Sequence, residues 1–174
     1  MTESKATKNV ATNPKEATMS KTTFTVKREE RKIIIERTFD APRELVFQAF
    51  TDPKSIPQWW GPRYLTTTVD KMDVRPGGVW RFINRDANGN EYAFNGKYLE
   101  VVPPERLSYT FEFEALPGQV SVETATFEER GGKTKVTATA VFETLEGFDG
   151  MVNSGMEAGA VETWERLAEL VEKS

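Results

Sequence analysis

The side chains able to do acid–base chemistry are a restricted set, because the sequence contains no histidine and no cysteine. The usual imidazole base, the Ser-His and Cys-His arrangements, disulfides and Cys-based zinc sites are all removed. Proton transfer would fall to carboxylates, tyrosine or lysine. Glu112, Glu114, Glu123, Glu128 and Glu143 mostly alternate with apolar neighbours, so they are expected to face solvent with ordinary acidity. No carboxylate pair stands out as a catalytic dyad, and neither a metal nor a cofactor is implied. Arg37 and Arg81 are more open: a shift of one residue in face would turn either inward, where it could orient a carboxylate or phenolate ligand. A surface salt bridge is the simpler expectation for both. Gly132-Lys133-Thr134 matches the end of a phosphate-binding loop, but the first required glycine would fall at Phe127 and the segment joins two strands. It reads as a hairpin turn.

The stronger signal is apolar. Trp59-Trp60, followed by Gly61-Pro62, could form a rigid aromatic lid over a cavity, or one indole could plug a helix–sheet junction. Trp80, Phe82, Tyr92, Phe94, Tyr98, Tyr109, Phe111 and Phe113 make an aromatic face, read either as core or as a cavity lining. Against that face the C-terminal segment sets Gly150, Gly155, Ala158, Gly159 and Ala160. A helical glycine costs about 1 kcal/mol relative to alanine, so either the helix presses tightly on the sheet or it bends and leaves room. The second is favoured, with Met151 and Met156 as adaptable walls. Gly155-x-x-x-Gly159 also fits a membrane-helix dimer motif, which Glu157 and the flanking acids exclude.

These side chains need elements to hold them. Residues 1–23 offer almost nothing to bury and read as a disordered tail, with 24–174 as one domain. Met19, close to the start of patterned sequence, is a candidate native start. Lys32–Phe39 reads as a β-branched strand. Asp40-Ala41-Pro42 then opens a helix, with Asp40 as cap and Leu45, Val46, Ala49 and Phe50 as its apolar stripe. A second short helix runs into Trp59-Trp60. Pro76-Gly77-Gly78, Asn88-Gly89, Pro103-Pro104 and Arg130-Gly131-Gly132-Lys133 punctuate a strand meander. Leu107, Tyr109, Phe111 and Phe113 share one face of it. Trp80 and Phe82 pair off likewise, as do Val136, Ala138, Ala140 and Phe142; Gly96 could mark a bulge that swaps faces. Phe148, Val152, Met156, Ala160, Trp164, Leu167 and Val171 predict one long helix over 148–171, with Glu157, Glu162, Glu165, Arg166 and Glu169 opposite. The fold class is therefore α+β: six to seven antiparallel strands curved around a long C-terminal helix, with two short helices after the first strand.

Composition narrows the function. A chain of 174 residues supports one domain with a real core. Residues 1–31 carry seven Lys/Arg and four Asp/Glu, leaving 16 basic and 23 acidic residues for the rest. Such an acidic domain is a poor nucleic-acid partner. No apolar run approaches the ~20 residues of a membrane span and no secretory stretch opens the chain, so no membrane insertion and a cytoplasmic location are expected.

The series Phe39-Asp40-Ala41-Pro42-Arg43-Glu44-Leu45-Val46-Phe47, Thr51-Asp52-Pro53, Trp59-Trp60-Gly61-Pro62, Arg75-Pro76-Gly77-Gly78 and Trp164-Glu165-Arg166-Leu167 resembles the START-like SRPBCC superfamily. Within it, the branch named after the C-terminal domain of the activator of the heat-shock protein 90 ATPase is the nearest likeness, over roughly 32–174. The resemblance implies a helix-grip fold with a hydrophobic cavity between sheet and C-terminal helix. It implies binding of a hydrophobic or aromatic small molecule, as in lipid carriers, by a monomer or weak homodimer. A cyclase- or dehydratase-like enzyme and a co-chaperone module with a chaperone partner and a stress-response role are the alternatives within the superfamily. The co-chaperone alternative lacks the separate N-terminal chaperone-binding domain of the full-length activator. The ligand-binding candidates are Trp59, Trp60, Trp80, Phe82, Phe94, Tyr98, Tyr109, Phe111, Phe113, Met151, Met156, Arg37 and Arg81, with no catalytic residue assigned.

Overall fold

A computed structural model describes residues 21–173; the tail expected over 1–23 lies outside them except for its last three residues. Thr22 is already buried and Thr23 pairs with Glu36, so residues ahead of position 24 take part in the fold. The strands are β1 (Thr23–Lys27), β2 (Lys32–Phe39), β3 (Thr66–Met72), β4 (Val79–Arg85), β5 (Glu91–Val102), β6 (Arg106–Phe113), β7 (Val120–Arg130) and β8 (Lys133–Phe142). All pair antiparallel in one sheet, ordered β1-β2-β8-β7-β6-β5-β4-β3. The eight strands exceed the six to seven expected because β1, a short and mostly exposed segment, adds an edge hairpin ahead of β2. The two short helices accordingly follow the second strand: α1 (Arg43–Thr51) and α2 (Ile56–Trp59).

The turns form where glycine permits positive φ. Gly77, Gly89, Gly131 and Gly132 all have φ between 61° and 87°, which suits the tight connections their neighbours make. Gly96 acts differently. It faces Trp80 across the β4–β5 ladder, and a Cβ there would meet the Thr110 carbonyl oxygen at 1.8 Å and Trp80 Nε1 at 2.5 Å. The register shift in β5 falls instead between Tyr98 and Glu100. The expected face assignments around Trp80, Phe94, Tyr98, Tyr109 and Val136 therefore hold, with these side chains on the concave side.

The C-terminal segment is two helices rather than one: α3 (Leu145–Asn153) and α4 (Met156–Glu172). Asn153-Ser154-Gly155 is a run of weak helix formers, and Gly155 adopts φ 82°, the left-handed conformation that ends helices. Thr144 caps α3 by accepting a hydrogen bond from Gly147 N at 2.9 Å. Asp40 does not cap α1. Pro42 occupies that position, and a distant carboxylate takes over the role: Arg43 N donates to Glu129 Oε1 at 3.0 Å. Asp40's own N–H donates to Glu172 Oε2 at 3.0 Å, tying the end of β2 to the end of α4.

The main core lies where α1, α2 and the C-terminal half of α4 cover β4–β8. Phe39, Phe50, Trp59, Phe127 and Trp164 interlock there, with ring centroids 5.0–6.5 Å apart. A smaller cluster of Ile33, Phe142 and Phe148 seats α3 at the other end. Among the described residues no helix is long and apolar enough to cross a membrane.

Gly96→Ala should destabilise the protein by more than about 3 kcal/mol, because the added methyl collides with backbone. Gly150→Ala, where a Cβ meets nothing within 4 Å, should stabilise it by about 0.5–1 kcal/mol. Urea unfolding of both variants measures this, and a tolerated Gly96→Ala would overturn the close-approach account.

Candidate functional site

The break at Gly155 and the small side chains of β8 together keep part of the concave face uncovered. Ala138 and Ala140 lie beneath α3 and α4 where larger residues would fill the space. Gly150, Gly155 and Gly159 meet nothing within 4 Å at a built Cβ, so they are not points of tight helix–sheet contact. What remains is a cavity of about 280 Å³, at the lower edge of the size range for small-molecule sites. Met151 and Met156 flank the helix break on one side; Trp59, Trp60, Phe94 and Phe111 form much of the rest. A side chamber of about 50 Å³ extends toward Trp80, Phe82 and Tyr98.

The two tryptophans divide the roles considered for them. Trp59 is 3% exposed and donates its indole N–H to the Ala49 carbonyl at 2.9 Å, which plugs the junction of α1 with α2. Trp60 is half-buried and meets Trp80, Phe82 and Phe94 edge-on at centroid distances of 5.1–6.4 Å. Both line the cavity. The segment after them is held by Arg166, which donates to the Gly61 carbonyl at 2.6 Å and the Gln58 carbonyl at 3.1 Å. Arg166 was expected on the solvent face; its reach across to α2 reassigns it as the clamp between α4 and the cavity wall.

Among the described residues, one ionisable side chain other than tyrosine lines the cavity, and it is Glu123. The alternation of β7 places Ser121, Glu123, Ala125 and Phe127 inward, against the expectation that Glu123 faces solvent. Its cross-strand neighbours are Tyr109 on β6 and Ala140 on β8. Tyr109 donates its hydroxyl to Glu123 Oε1 at 3.2 Å. The surface Glu123 retains faces the cavity, and removal from bulk water pushes its pKa from the ordinary 4.5 up to about 7, only partly opposed by the tyrosine hydrogen bond. Burial also pushes the Tyr109 and Tyr98 phenols upward, so both stay protonated donors at neutral pH. Ser121 Oγ, two residues along the same face, is buried with no hydrogen-bond partner among the described residues; Trp80 Nε1 in the side chamber is likewise unpaired.

A family model described as "Activator of Hsp90 ATPase homolog 1-like protein" matches residues 40–172. The chain belongs to this family. Among solved structures, a protein of Chromobacterium violaceum is 30% identical, with 82% of this chain and 97% of that one covered and a TM-score of 0.74. A Mycobacterium smegmatis protein is 25% identical over 86% and 96% of the two chains, TM-score 0.78. An Arthrobacter aurescens protein at 22% identity, covering 87% and 92%, shares the fold with a TM-score of 0.82. Comparison with curated proteins finds no match. The START-like SRPBCC assignment and the helix-grip fold expected from the sequence motifs therefore stand.

In this member of the activator-homologue family, the candidates divide by place. Trp59, Trp60, Phe94, Tyr109, Phe111, Met151 and Met156 line the cavity; Trp80, Phe82 and Tyr98 line the side chamber. Phe113 lies behind, stacked on Phe94 with centroids 4.9 Å apart. Arg81 is on the convex face in a fork to Glu114, at 2.7 and 2.9 Å, with Asp70 beyond at 3.2 Å. That is the surface salt bridge, so Arg81 leaves the ligand site. Arg37 does turn inward, on the same face as Ile35 and Phe39, but it lies outside the cavity lining: Nη1 donates to Thr22 Oγ1 at 3.3 Å and its guanidinium sits 5.4 Å from the Phe39 ring. Tyr92 donates to Asp86 at 3.0 Å and stays at the hairpin. Missed by sequence reasoning were Glu123, Ser121 and Asn84, of which Asn84 accepts from Thr67 Oγ1 at 2.7 Å. No group of three or more potential metal ligands occurs among the described residues.

Glu123 has a pH signature. Its pKa is raised in the folded state, so the folded state is unpenalised below the unfolded value of 4.5 and loses stability as pH rises through about 7. The full loss is about 3 kcal/mol. Glu123→Gln removes it: the variant should match the wild type near pH 4.5 and be more stable above pH 7. Parallel urea-unfolding profiles across this range would show that Glu123 is not desolvated.

Proposed function

We propose that this protein binds a hydrophobic, at least partly aromatic small molecule in the cavity between sheet and C-terminal helices. The observation that carries the reading is the preformed space of about 280 Å³, walled by aromatic and methionine side chains and kept open by Ala138, Ala140 and the break at Gly155. Burying an apolar ligand there exchanges water-exposed apolar surface for contact, at roughly 25 cal/mol per Å² before the costs of association. The lid residue Trp60 and the wall residues Met151 and Met156 can adapt to a ligand's outline without disturbing the interlocked core behind Trp59.

Titration with 2-naphthalenemethanol, followed through tryptophan emission, should give saturable quenching. Ala140→Phe, which fills the space beside Glu123, should weaken that binding by about tenfold or more while the fold persists. Unsaturable quenching, or unchanged affinity in a folded Ala140→Phe, would refute the cavity as the site.

The Glu123–Tyr109 pair favours a second reading, in which a bound ligand is also turned over. A carboxyl titrating near neutrality inside an apolar site can accept a proton from an activated C–H and return it, as cyclase- and dehydratase-like chemistry requires. Exchange of ligand hydrogen for solvent deuterium, seen by NMR and abolished in Glu123→Gln, would establish that reading. Binding without exchange leaves the protein a carrier.

A further inference from the structure

We propose that the cavity selects an apolar amine, a hydrophobic molecule carrying one ammonium group, and that Glu123, Ser121 and the Tyr109 hydroxyl form its headgroup site. The proposal rests on the cavity-binding function above and specifies its ligand class.

The argument is one of charge and hydrogen-bond balance. Among the described residues, the lining of the cavity and its side chamber includes one carboxyl group and no Lys or Arg. The nearest arginines are engaged elsewhere: Arg166 with the carbonyls of Gly61 and Gln58, Arg37 with Thr22, and Arg81 on the other face of the sheet. Above about pH 7, where Glu123 is ionised, a fatty acid, phosphate or other anionic head would therefore meet it as a like charge with no cationic side chain in the lining to compensate. A cation neutralises Glu123.

The groups facing Glu123 are known from each element packed around it. β6 brings the Tyr109 hydroxyl, β5 brings Tyr98 in the side chamber, and β8 brings Ala140. α1, α2 with the residue after it, and α4 bring Phe50, Trp59, Trp60 and Trp164, while β2 and α3 bring Ile33, Ile35 and Met151, none of them charged. An ammonium group offers three N–H donors. Glu123 has oxygens to accept them, and Ser121 Oγ, 1% exposed and unpartnered, supplies another acceptor on the same strand face. The indole and phenyl rings around the cavity add attractive faces for a cation that has left water. Glu123's raised pKa fits the same picture, since pairing with an ammonium would restore the ionised form.

The test uses three ligands on one frame: 2-naphthylmethylamine, 2-naphthalenemethanol and 2-naphthoate, titrated into the full-length protein by calorimetry. At about pH 8 the amine should bind about tenfold more tightly than the alcohol, and the naphthoate more weakly than either. Amine affinity should rise as pH increases from about 6 to about 8, because Glu123 ionises while the amine stays charged. Glu123→Gln should abolish both the preference, read as the ratio of amine to alcohol affinity within each protein, and the pH dependence, and Ser121→Ala should lower that ratio. An amine that binds no better than the alcohol, or a preference that survives Glu123→Gln, overturns the proposal and leaves the cavity function standing. If none of the three binds, the cavity function falls with it.

Discussion

An eight-stranded antiparallel sheet with one apolar face has more surface to cover than its helices can reach. Seven inter-strand gaps span about 33 Å, whereas the 17 residues of α4 run about 26 Å and cross only part of that width. α1 and α2 cover the sheet from β7 toward β3, α3 covers the β2–β8 end, and the concave region between them stays open. The cavity follows from this shortfall. Its size is then set by local choices: alanines at 138 and 140 on the floor, and a left-handed glycine in the roof.

The shortfall also determines how the roof is fixed. A helix that contacts the sheet along only part of its length needs anchors beyond its buried face, and α4 has them at its C-terminus and along its middle. At the C-terminus Glu172 accepts from Asp40 N, while Leu167, Ala168 and Val171 sit in the core. Along its middle, Arg166 grips the carbonyls of Gln58 and Gly61, and Arg63 pairs with Glu169 and Glu162. The exposed pairs add little individually. Arg166 matters more, because its partners are backbone groups at the end of α2 that would otherwise lack donors. α3 is tied separately, through the Arg28 fork to Asp149 at 2.8 and 3.0 Å. The two helices are therefore fixed to the rest of the fold by separate contacts on either side of Gly155.

Much of this was legible in the residue pattern. The period-2 runs of β6 and β8 and the glycine turns identify the meander, and the stripe from Phe148 to Val171 identifies the covering element. The stripe did not disclose the break, because Phe148, Met156 and Trp164 keep helical spacing across it; the signal lay in Asn153-Ser154-Gly155, which polar spacing alone makes easy to pass over. β1 was missed for a different reason. It is an edge strand whose side chains are mostly exposed on both faces, so it carries no alternation to read.

Glu123 shows why the site was harder to read than the fold. In Ser121-Val122-Glu123-Thr124-Ala125-Thr126-Phe127 the apolar residue Val122 faces outward and is 36% exposed, while the polar Ser121 and Glu123 face inward. Binary pattern taken locally inverts the face. Register taken from a firm anchor does not: Phe127 is 2% exposed, and counting back in twos gives Ala125, Glu123 and Ser121 as the inward set. A strand that spends inward positions on a serine and a glutamate forfeits apolar burial and takes on desolvation, and packing alone offers no compensation for either. Arg37 and Asn84 also break the hydrophobic rule on the inward face; what sets the inversion in β7 apart is that it places a carboxyl group on the cavity wall.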